Sequence, residues 1–525
     1  MNSRRIVLTC GFTFLLLSLI RTAWLSDDSY ISFRTAENLI AGAGPVWNVG
    51  ERVQAFTHPL WLGLCTVAFA LTGEVYYTAI ALGMFVTIAG VGLLARLALT
   101  PAGLAVCFAG MLSSKAFIDY STSGLENPLT HLLLIAFAWQ WWTSAEGPVR
   151  LTRLSLFAAL AMLNRMDLAL IMLPPLMHAA WRLGPRAAAR PLVVGFLPFV
   201  AWEAFSTFYY GTPFPNTAYA KLTPVLTTAV RWHRGFNYIY RTLSGDPATL
   251  PLIVLAVVTA VAARRRTDWP LVAGIALYVT YTIGIGGDFM MGRFFTAPFV
   301  VGLAMPGRTT WLHLPRRDPL VAAGILLLGL AAPWEPAILG GFGFAYVRNR
   351  LVDEPKRAPM DELPHLTVRQ ITDERRYYYE GFGLLKVIGR GSPDHEWRSD
   401  GLDLRAHGRQ TVVRNSIGFV GYYAGPEVYI IDSRGLADPL LARLPGGTAE
   451  STIGHLDRPI PDGYLKTVAT GTNHITDPNL AAYYEKLHEV VSGDLWSGHR
   501  LITLVAFVFG RYDHFLHAYL ARREP

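Results

Sequence analysis

The chain is poor in charge and in cysteine, and it carries no nucleotide-binding or metalloprotease signature. Only 16% of its 525 residues are Asp, Glu, Lys or Arg, against about 25% in soluble domains. So little charge cannot coat a water-facing body of this size. The three cysteines, Cys10, Cys65 and Cys107, all lie in apolar runs. That excludes a disulfide scaffold and makes them small hydrophobes. There is no P-loop, no GxGxxG after a strand, no HExxH and no CxxC pair, and the Gly-Gly pairs at 286–287, 340–341 and 446–447 lack the required flanks. What is abundant is apolar and aromatic: 52% hydrophobic residues, with 14 Trp, 23 Tyr and 27 Phe. The mean hydropathy is +0.31. Such a chain is neither disordered nor soluble, and the remaining class is an integral membrane protein.

A spanning helix needs about 20 mostly apolar residues. Residues 6–25 form the first such run. The MNSRR start resembles the n-region of a signal peptide. No small-x-small cleavage site precedes the acidic pair, however, so the run reads as an uncleaved helix with its N-terminus inside. Further runs fall at 59–72, 76–95, 100–118, 128–145, 151–163, 167–181, 191–209, 248–263, 269–286, 294–305 and 318–334. Basic loops at Arg182–Arg190, Arg264–Arg266 and Arg308–Arg317, and a weaker one at Arg150 and Arg153, fit the cytoplasmic side. The net charge of +8 is thus a topology signal, and nucleic acid is not an expected partner. Parity then makes 59–72 a juxtamembrane or re-entrant helix on the outer face. The expected fold is an α-helical polytopic membrane protein with about eleven crossings, N-terminus in and C-terminus out. Residues 1–335 form its membrane domain, with a first outer loop at 26–75. Residues 336–525, richer in charge, Gly and Pro, form an α+β domain outside the membrane, with VYII (428–431) as a strand and LITLVAFV (501–508) as a core strand or helix.

Ionisable groups at helix ends on one face of a membrane protein are functional candidates. Asp27-Asp28 follow the first helix directly. Adjacent carboxylates repel, so one pKa rises unless a cation intervenes, which suits a general base or a ligand pair for a divalent metal. Taken alone, an N-cap for a helix over 29–41 is the stronger reading. That helix carries Arg34 on its polar face, and the loop that follows holds Trp47, Asn48, Glu51, Arg52 and His58, which either bind sugar or rest on lipid headgroups. Glu126 and Asn127, then Arg165 and Asp167, flank short apolar runs, a pattern of backbone lining a cavity. Arg165 there either holds a phosphate or ties helices through an ion pair with Asp167 or Glu126. Asn216, Tyr219 and Lys221 share the outer face by parity, as do Asp288 and Arg293. Cations beside carboxylates suit transfer of a group away from a phosphate: the cations hold the anionic leaving group and a carboxylate takes or orients an acceptor proton. A lipid-phosphate donor in the bilayer would enter such a cavity from the side.

These residues resemble the GT-C class of polyprenyl-phosphate-sugar glycosyltransferases. More specifically, they are similar to the terminal β-(1→2)-arabinofuranosyltransferases of actinobacterial cell walls. The resemblance is carried by Asp27-Asp28-Ser29-Tyr30-Ile31 with Arg34, by Trp47-Asn48, Glu51–Gln54 and Thr57–Trp61, and by GLENPL (124–129), NRMD (164–167), GTPFPNTAYAKL (211–222) and GGDFMMGRFF (286–295). GYYAGP (421–426), GLADPLLARLP (435–445) and IGHLDRPIPDGY (453–464) extend it. It implies transfer of D-arabinofuranose from a polyprenyl-phosphate donor to a periplasmic glycan or glycoprotein hydroxyl at the inner membrane. Donor and product would both be β, and retention would have the acidic pair assist a front-face or double-displacement route. On this reading Asp27, Asp28 and Glu126 are catalytic. Arg165, Lys221 and Arg293 bind the donor phosphate. Arg34, Trp47, Asn48, His58, Asn127, Asp167, Asn216, Tyr219 and Asp288 contact substrate. A divalent metal, if one is used, would sit at Asp27 and Asp28. Two other classes compete: a transporter, which would carry inverted repeats that the sequence lacks, and a non-catalytic sugar-binding protein, which leaves the acidic pair unexplained. GLADPLLARL also reads as a short amphipathic helix capped by Asp438.

Overall fold

The computed structural model describes residues 3–222, 227–308, 318–330, 371–447, 451 and 454–522. The basic stretch beyond Arg308 and the Gly340-Gly341 pair lie outside them. The chain is mostly helical and groups into two compact units. One comprises residues 1–26, 76–199 and 227–393; the other comprises 27–75, 200–226 and 394–525.

In the first unit the apolar runs are helices with chemically legible ends. Thr100 caps Pro101–Ser113 by accepting from the Gly103 N–H, with Pro101 preset for the first turn. The expected run 100–118 breaks at Ser114, whose hydroxyl accepts from Phe117 N–H and starts a new helix, Lys115–Tyr120. Asp246 organises the start of Thr249–Ala263: its carboxylate accepts from the backbone of Ala248 and Thr249, from the Thr249 hydroxyl and from Ala116 N–H. Helices approach closely where glycine allows it. A β-carbon on Gly274 would lie 2.1 Å from the Ile171 carbonyl oxygen, and one on Gly235 would lie 2.0 Å from that of Ile283. Small residues serve helix pairs in lipid in this way.

Three described helices are long and apolar enough to cross a bilayer: Ser3–Thr22, Tyr76–Leu97 and Pro185–Tyr210. Thr228–Gly245 and Thr249–Ala263 make a fourth candidate as a pair bent by 102°. Other apolar helices, among them Pro101–Ser113, Trp269–Gly284 and Thr296–Gly307, are shorter. The chain is a membrane protein on these grounds. Two local expectations change. The basic loop 182–190 is largely helix: after Gly184 (φ +86°) the chain re-enters helix at Pro185, and Arg186, Ala187–Ala189 and Arg190 are good helix formers. The helix Thr228–Gly245 was not expected, because it is amphipathic and not an apolar run.

The second unit joins residues 27–75 and 200–226 to the C-terminal residues. Asp27–Ile40 and Pro59–Thr72 are its leading helices. At 14 residues, the second is about 21 Å long, short of a hydrocarbon core of about 30 Å. Two strands, β1 (Gln410–Arg414) and β2 (Val428–Asp432), pair in parallel with Gln410 opposite Val428 and Arg414 opposite Asp432. The connection between them carries the helix Phe419–Ala424. Residues 501–508 are part of a helix, Gly498–Val508. One core cluster brings Ile31, Trp47 and Ala55 against Leu404, Ile417, Val420 and Ile430. A second gathers Leu440, Leu441, Tyr464, Leu480, Tyr483, Leu487 and Leu504.

Candidate active site

In the first unit, six sequence-predicted residues meet. The loop Ser121–Leu125, turned by Gly124 (φ +80°), delivers Glu126 to the head of the helix Asn127–Thr143. Negative charge is favoured there. The NRMD break faces it. Asn164 donates to the Glu126 carbonyl (3.0 Å) and to the Thr130 hydroxyl (2.9 Å), pinning the break. Arg165 then runs extended (φ −157°, ψ 118°). Its guanidinium reaches Asp167 (2.6 and 3.1 Å) and Glu126 (3.4 Å), and lies 4.3 Å from the Phe294 ring. Both ion pairs weighed for Arg165 are therefore present. Tyr278 donates its hydroxyl to Asp167 at 3.0 Å. Arg293 binds Glu126 through both carboxylate oxygens (2.8 and 3.0 Å), lies 3.4 Å from Asn127 Oδ1 and sits 3.9 Å from Asp288. Three carboxylates thus surround two guanidinium groups, nearly all of it buried.

A second ionic cluster in this unit escaped sequence reasoning. Lys115 pairs with Asp119, and with Asp373 at 3.0 Å, while Arg375 reaches Asp119 at 2.5 Å. Lys115 was counted inside an apolar run; Asp119 is one turn on, but the other partner, Asp373, lies 258 positions away. Its charges balance.

In the second unit, Asp27 and Asp28 diverge. Asp27 is buried and does not cap its own helix. Its Oδ1 accepts the Phe419 backbone N–H at 2.6 Å. Burial pushes its pKa up to about 7, against the pull of that hydrogen bond and with a further push from Asp28. Asp28 is half-buried and makes no hydrogen bond or ion pair among the described residues. Arg34, Trp47 and Asn48 are brought together, but with backbone. Arg34 donates to the carbonyls of Trp47 (2.8 Å), Val428 (2.9 Å) and Gly421, and its guanidinium lies over the Trp47 ring. Asn48 exchanges both of its amide groups with Ile430. His58 Nε2 lies 2.8 Å from the Ser32 hydroxyl. Asn216 donates to the carbonyls of Gly435 (2.9 Å), Leu436 (3.2 Å) and Asp438 (3.0 Å), joining the PNTAYAKL and GLADPL motifs. Tyr219 lies under Arg443, 5.0 Å from its guanidinium carbon. Lys221 is exposed, with no hydrogen bond or ion pair among the described residues.

The C-terminal candidates are likewise taken up internally. Asp438 accepts from Leu441 N–H and the Tyr464 hydroxyl, and begins a single 3-10 turn, Leu441–Arg443. Arg458 donates to four backbone carbonyls, one of them Ala220 at 2.6 Å. Among the described residues no three His, Cys, Asp or Glu side chains gather as a metal site. With Asp27 committed to an N–H group, the acidic pair offers one free carboxylate, a poor donor set for a divalent cation.

No family model matches the chain. Over 413 residues it is 30% identical to the terminal β-(1→2)-arabinofuranosyltransferase of Mycobacterium tuberculosis, an alignment covering 69% of this chain and 63% of that enzyme. Over 519 residues it is 27% identical to the terminal β-(1→2)-arabinofuranosyltransferase of Corynebacterium glutamicum, covering 82% of this chain and 72% of that one. The chain is a homologue of these arabinofuranosyltransferases. It thus spans somewhat under two thirds of the mycobacterial relative's length. Its fold is similar to that of ArnT from Cupriavidus metallidurans in the apo state, with a TM-score of 0.55 at 13% identity over 82% of this chain and 86% of that one. At that identity the likeness is one of fold, and it agrees with the GT-C-like helical membrane architecture expected from the sequence.

Proposed function

We propose that this protein is a GT-C membrane glycosyltransferase that moves a sugar, D-arabinofuranose, from a polyprenyl-phosphate donor to a hydroxyl of a periplasmic glycan or glycoconjugate. The observation that carries the reading is the homology to two terminal arabinofuranosyltransferases over 69% and 82% of the chain. In the reaction the bond from the anomeric carbon to phosphate oxygen breaks, and a bond to the acceptor oxygen forms. The acceptor proton passes to Asp28, whose carboxylate has no competing partner. Arg165 and Arg293 hold the departing phosphate, because guanidinium matches its oxygens in fixed geometry. Glu126 bridges the two and keeps them aimed when no donor is bound. The resemblance also assigns Lys221, an exposed cation of the second unit, to the donor phosphate. Asn127, Asp167 and Asp288 fix the arginines and border the sugar, and His58 and Tyr219 border the acceptor. Asp27, Arg34, Asn48 and Asn216 are positioning residues of the second unit, each side chain bonded to main chain, and the Trp47 ring lies against Arg34. The active site lies on the periplasmic face of the inner membrane.

The test is transfer by purified protein from synthetic prenyl-phosphate arabinose beside prenyl-phosphate mannose, with linkage analysis of the product. Arabinose transfer is expected. Transfer of mannose alone would keep the class and replace the sugar. Asp28→Asn should remove activity by at least 100-fold, the scale of a lost general base. Arg165→Ala should raise the apparent KM for the lipid phosphate, and an unchanged value would make Arg165 a helix tie only.

A further inference from the structure

We propose that the turn Gly418–Phe419, between the two strands of the C-terminal region, positions the acidic pair: it holds Asp27 by backbone so that Asp28 is presented alone. The inference rests on Asp28 being the reacting carboxylate, as above. Its geometry is independent of that reading. Asp27 Oδ1 accepts the Phe419 N–H at 2.6 Å. Gly418 passes so close that a β-carbon there would lie 2.0 Å from the Asp27 carbonyl oxygen and 2.6 Å from its Cγ. No side chain fits. Gly418 is not in the left-handed region (φ −71°), so space and not backbone conformation demands the glycine.

The grip continues along the helix Asp27–Ile40. One turn on, the Tyr30 ring meets Phe419 with centroids 4.8 Å apart. Two turns from the start, Arg34 donates to the Gly421 and Val428 carbonyls. Near the end, the Tyr422 hydroxyl donates to Glu37 at 2.7 Å. Four contacts, spaced three or four residues apart, all run from one face of this helix to residues 419–428. Rotation of the helix about its axis would break all of them, and that rotation is what would move Asp28. Asp27 is on this reading a positioning residue that acts through its neighbour, and the C-terminal segment belongs to the machinery that orients the base.

The experiment compares Gly418→Ala, Asp27→Ala, Asp27→Asn and the Gly418→Ala/Asp27→Ala pair in full-length protein. Asparagine keeps an oxygen that accepts from Phe419, so Asp27→Asn should recover most of what Asp27→Ala loses. Gly418→Ala and Asp27→Ala should each lower kcat by about 10-fold or more, as a lost buried hydrogen bond does, with KM for the lipid phosphate within about 2-fold. The double variant should be no worse than either single one, because both break the same contact. Two independent defects would instead multiply. Amide exchange reads the contact without activity: the Phe419 amide should exchange about 10-fold faster in Asp27→Ala and stay protected in Asp27→Asn. Full kcat in Gly418→Ala, an Asp27→Asn variant as inactive as Asp28→Asn, or an unchanged Phe419 amide in Asp27→Ala would each overturn the proposal. A wild-type protein that transfers no sugar, with the exchange result as expected, would instead sink the functional reading and leave the anchor standing.

Discussion

Glu51 is a carboxylic acid that this fold keeps protonated, and Glu51→Gln exposes what that does to stability. The side chain is buried and its Oε2 accepts the Tyr429 hydroxyl at 2.7 Å. Burial, with Asp438 nearby, pushes its pKa up to about 8. An unfolded chain releases the same proton near pH 4. The folded protein therefore binds more protons than the unfolded one between these limits, and its stability falls as pH rises. The contribution is complete below about pH 4 and is lost as pH climbs through 8. Between pH 6 and pH 8 one group of this kind removes roughly 2 kcal/mol. Glutamine keeps an acceptor for Tyr429 and cannot ionise, so its stability relative to wild type should rise by that amount between pH 6 and pH 8. For a unit of this size the difference is roughly 5 °C in Tm. Thermal unfolding of detergent-purified protein from pH 5.5 to 8.5 measures it. Parallel profiles for wild type and Glu51→Gln, or a wild type that gains stability from pH 6 to 8, would refute the reasoning. Asp438 and Asp27, raised by burial to about 7, and Asp432, raised to about 6, act in the same direction. The whole unit should therefore favour mildly acidic conditions.

Two further outcomes are expected on stability. Glu126→Ala leaves Arg165 and Arg293 buried without their shared carboxylate, and should cost about 3–5 kcal/mol; Glu126→Gln should cost less, and chemical denaturation in detergent compares them. Asn216→Ala strips donors from the Gly435, Leu436 and Asp438 carbonyls, and should cost about 1–3 kcal/mol, read as a lower Tm with the pH dependence of Glu51 unchanged.

Most of the helices were legible because lipid forces a one-dimensional signal: an apolar run must be helical and its flanks carry the charge. The run at 59–72 and the helix Pro59–Thr72 coincide. The same signal fails where a helix is amphipathic, as at Thr228–Gly245, or where a charge hides in an apolar run, as at Lys115. The convergence of Glu126, Arg165, Asp167 and Arg293 was visible as polar breaks between short runs. The use of Arg34, Trp47 and Asn48 was not. These side chains suit a sugar, and nothing local reveals that the carbonyls of residues 421, 428 and 430 occupy them. Hydrogen bonds spanning more than 380 positions leave no spacing to read.

That same long-range pairing bears on how such a chain can evolve. Part of the segment 27–75 is buried against the C-terminal residues: Ile31, Trp47 and Ala55 share a core cluster with Leu404, Val420 and Ile430. Arg34 is buried, and its hydrogen bonds go to main-chain carbonyls and to the side chain of Asn48. Removing those carbonyls would leave the guanidinium desolvated and unsatisfied, a far larger cost than losing any one apolar contact. Backbone carbonyls persist through substitution, whereas side-chain partners do not. A helix bearing the acidic pair and tied down mainly through carbonyls and one glycine-lined turn can therefore hold its place while the surface of residues 394–525 diverges.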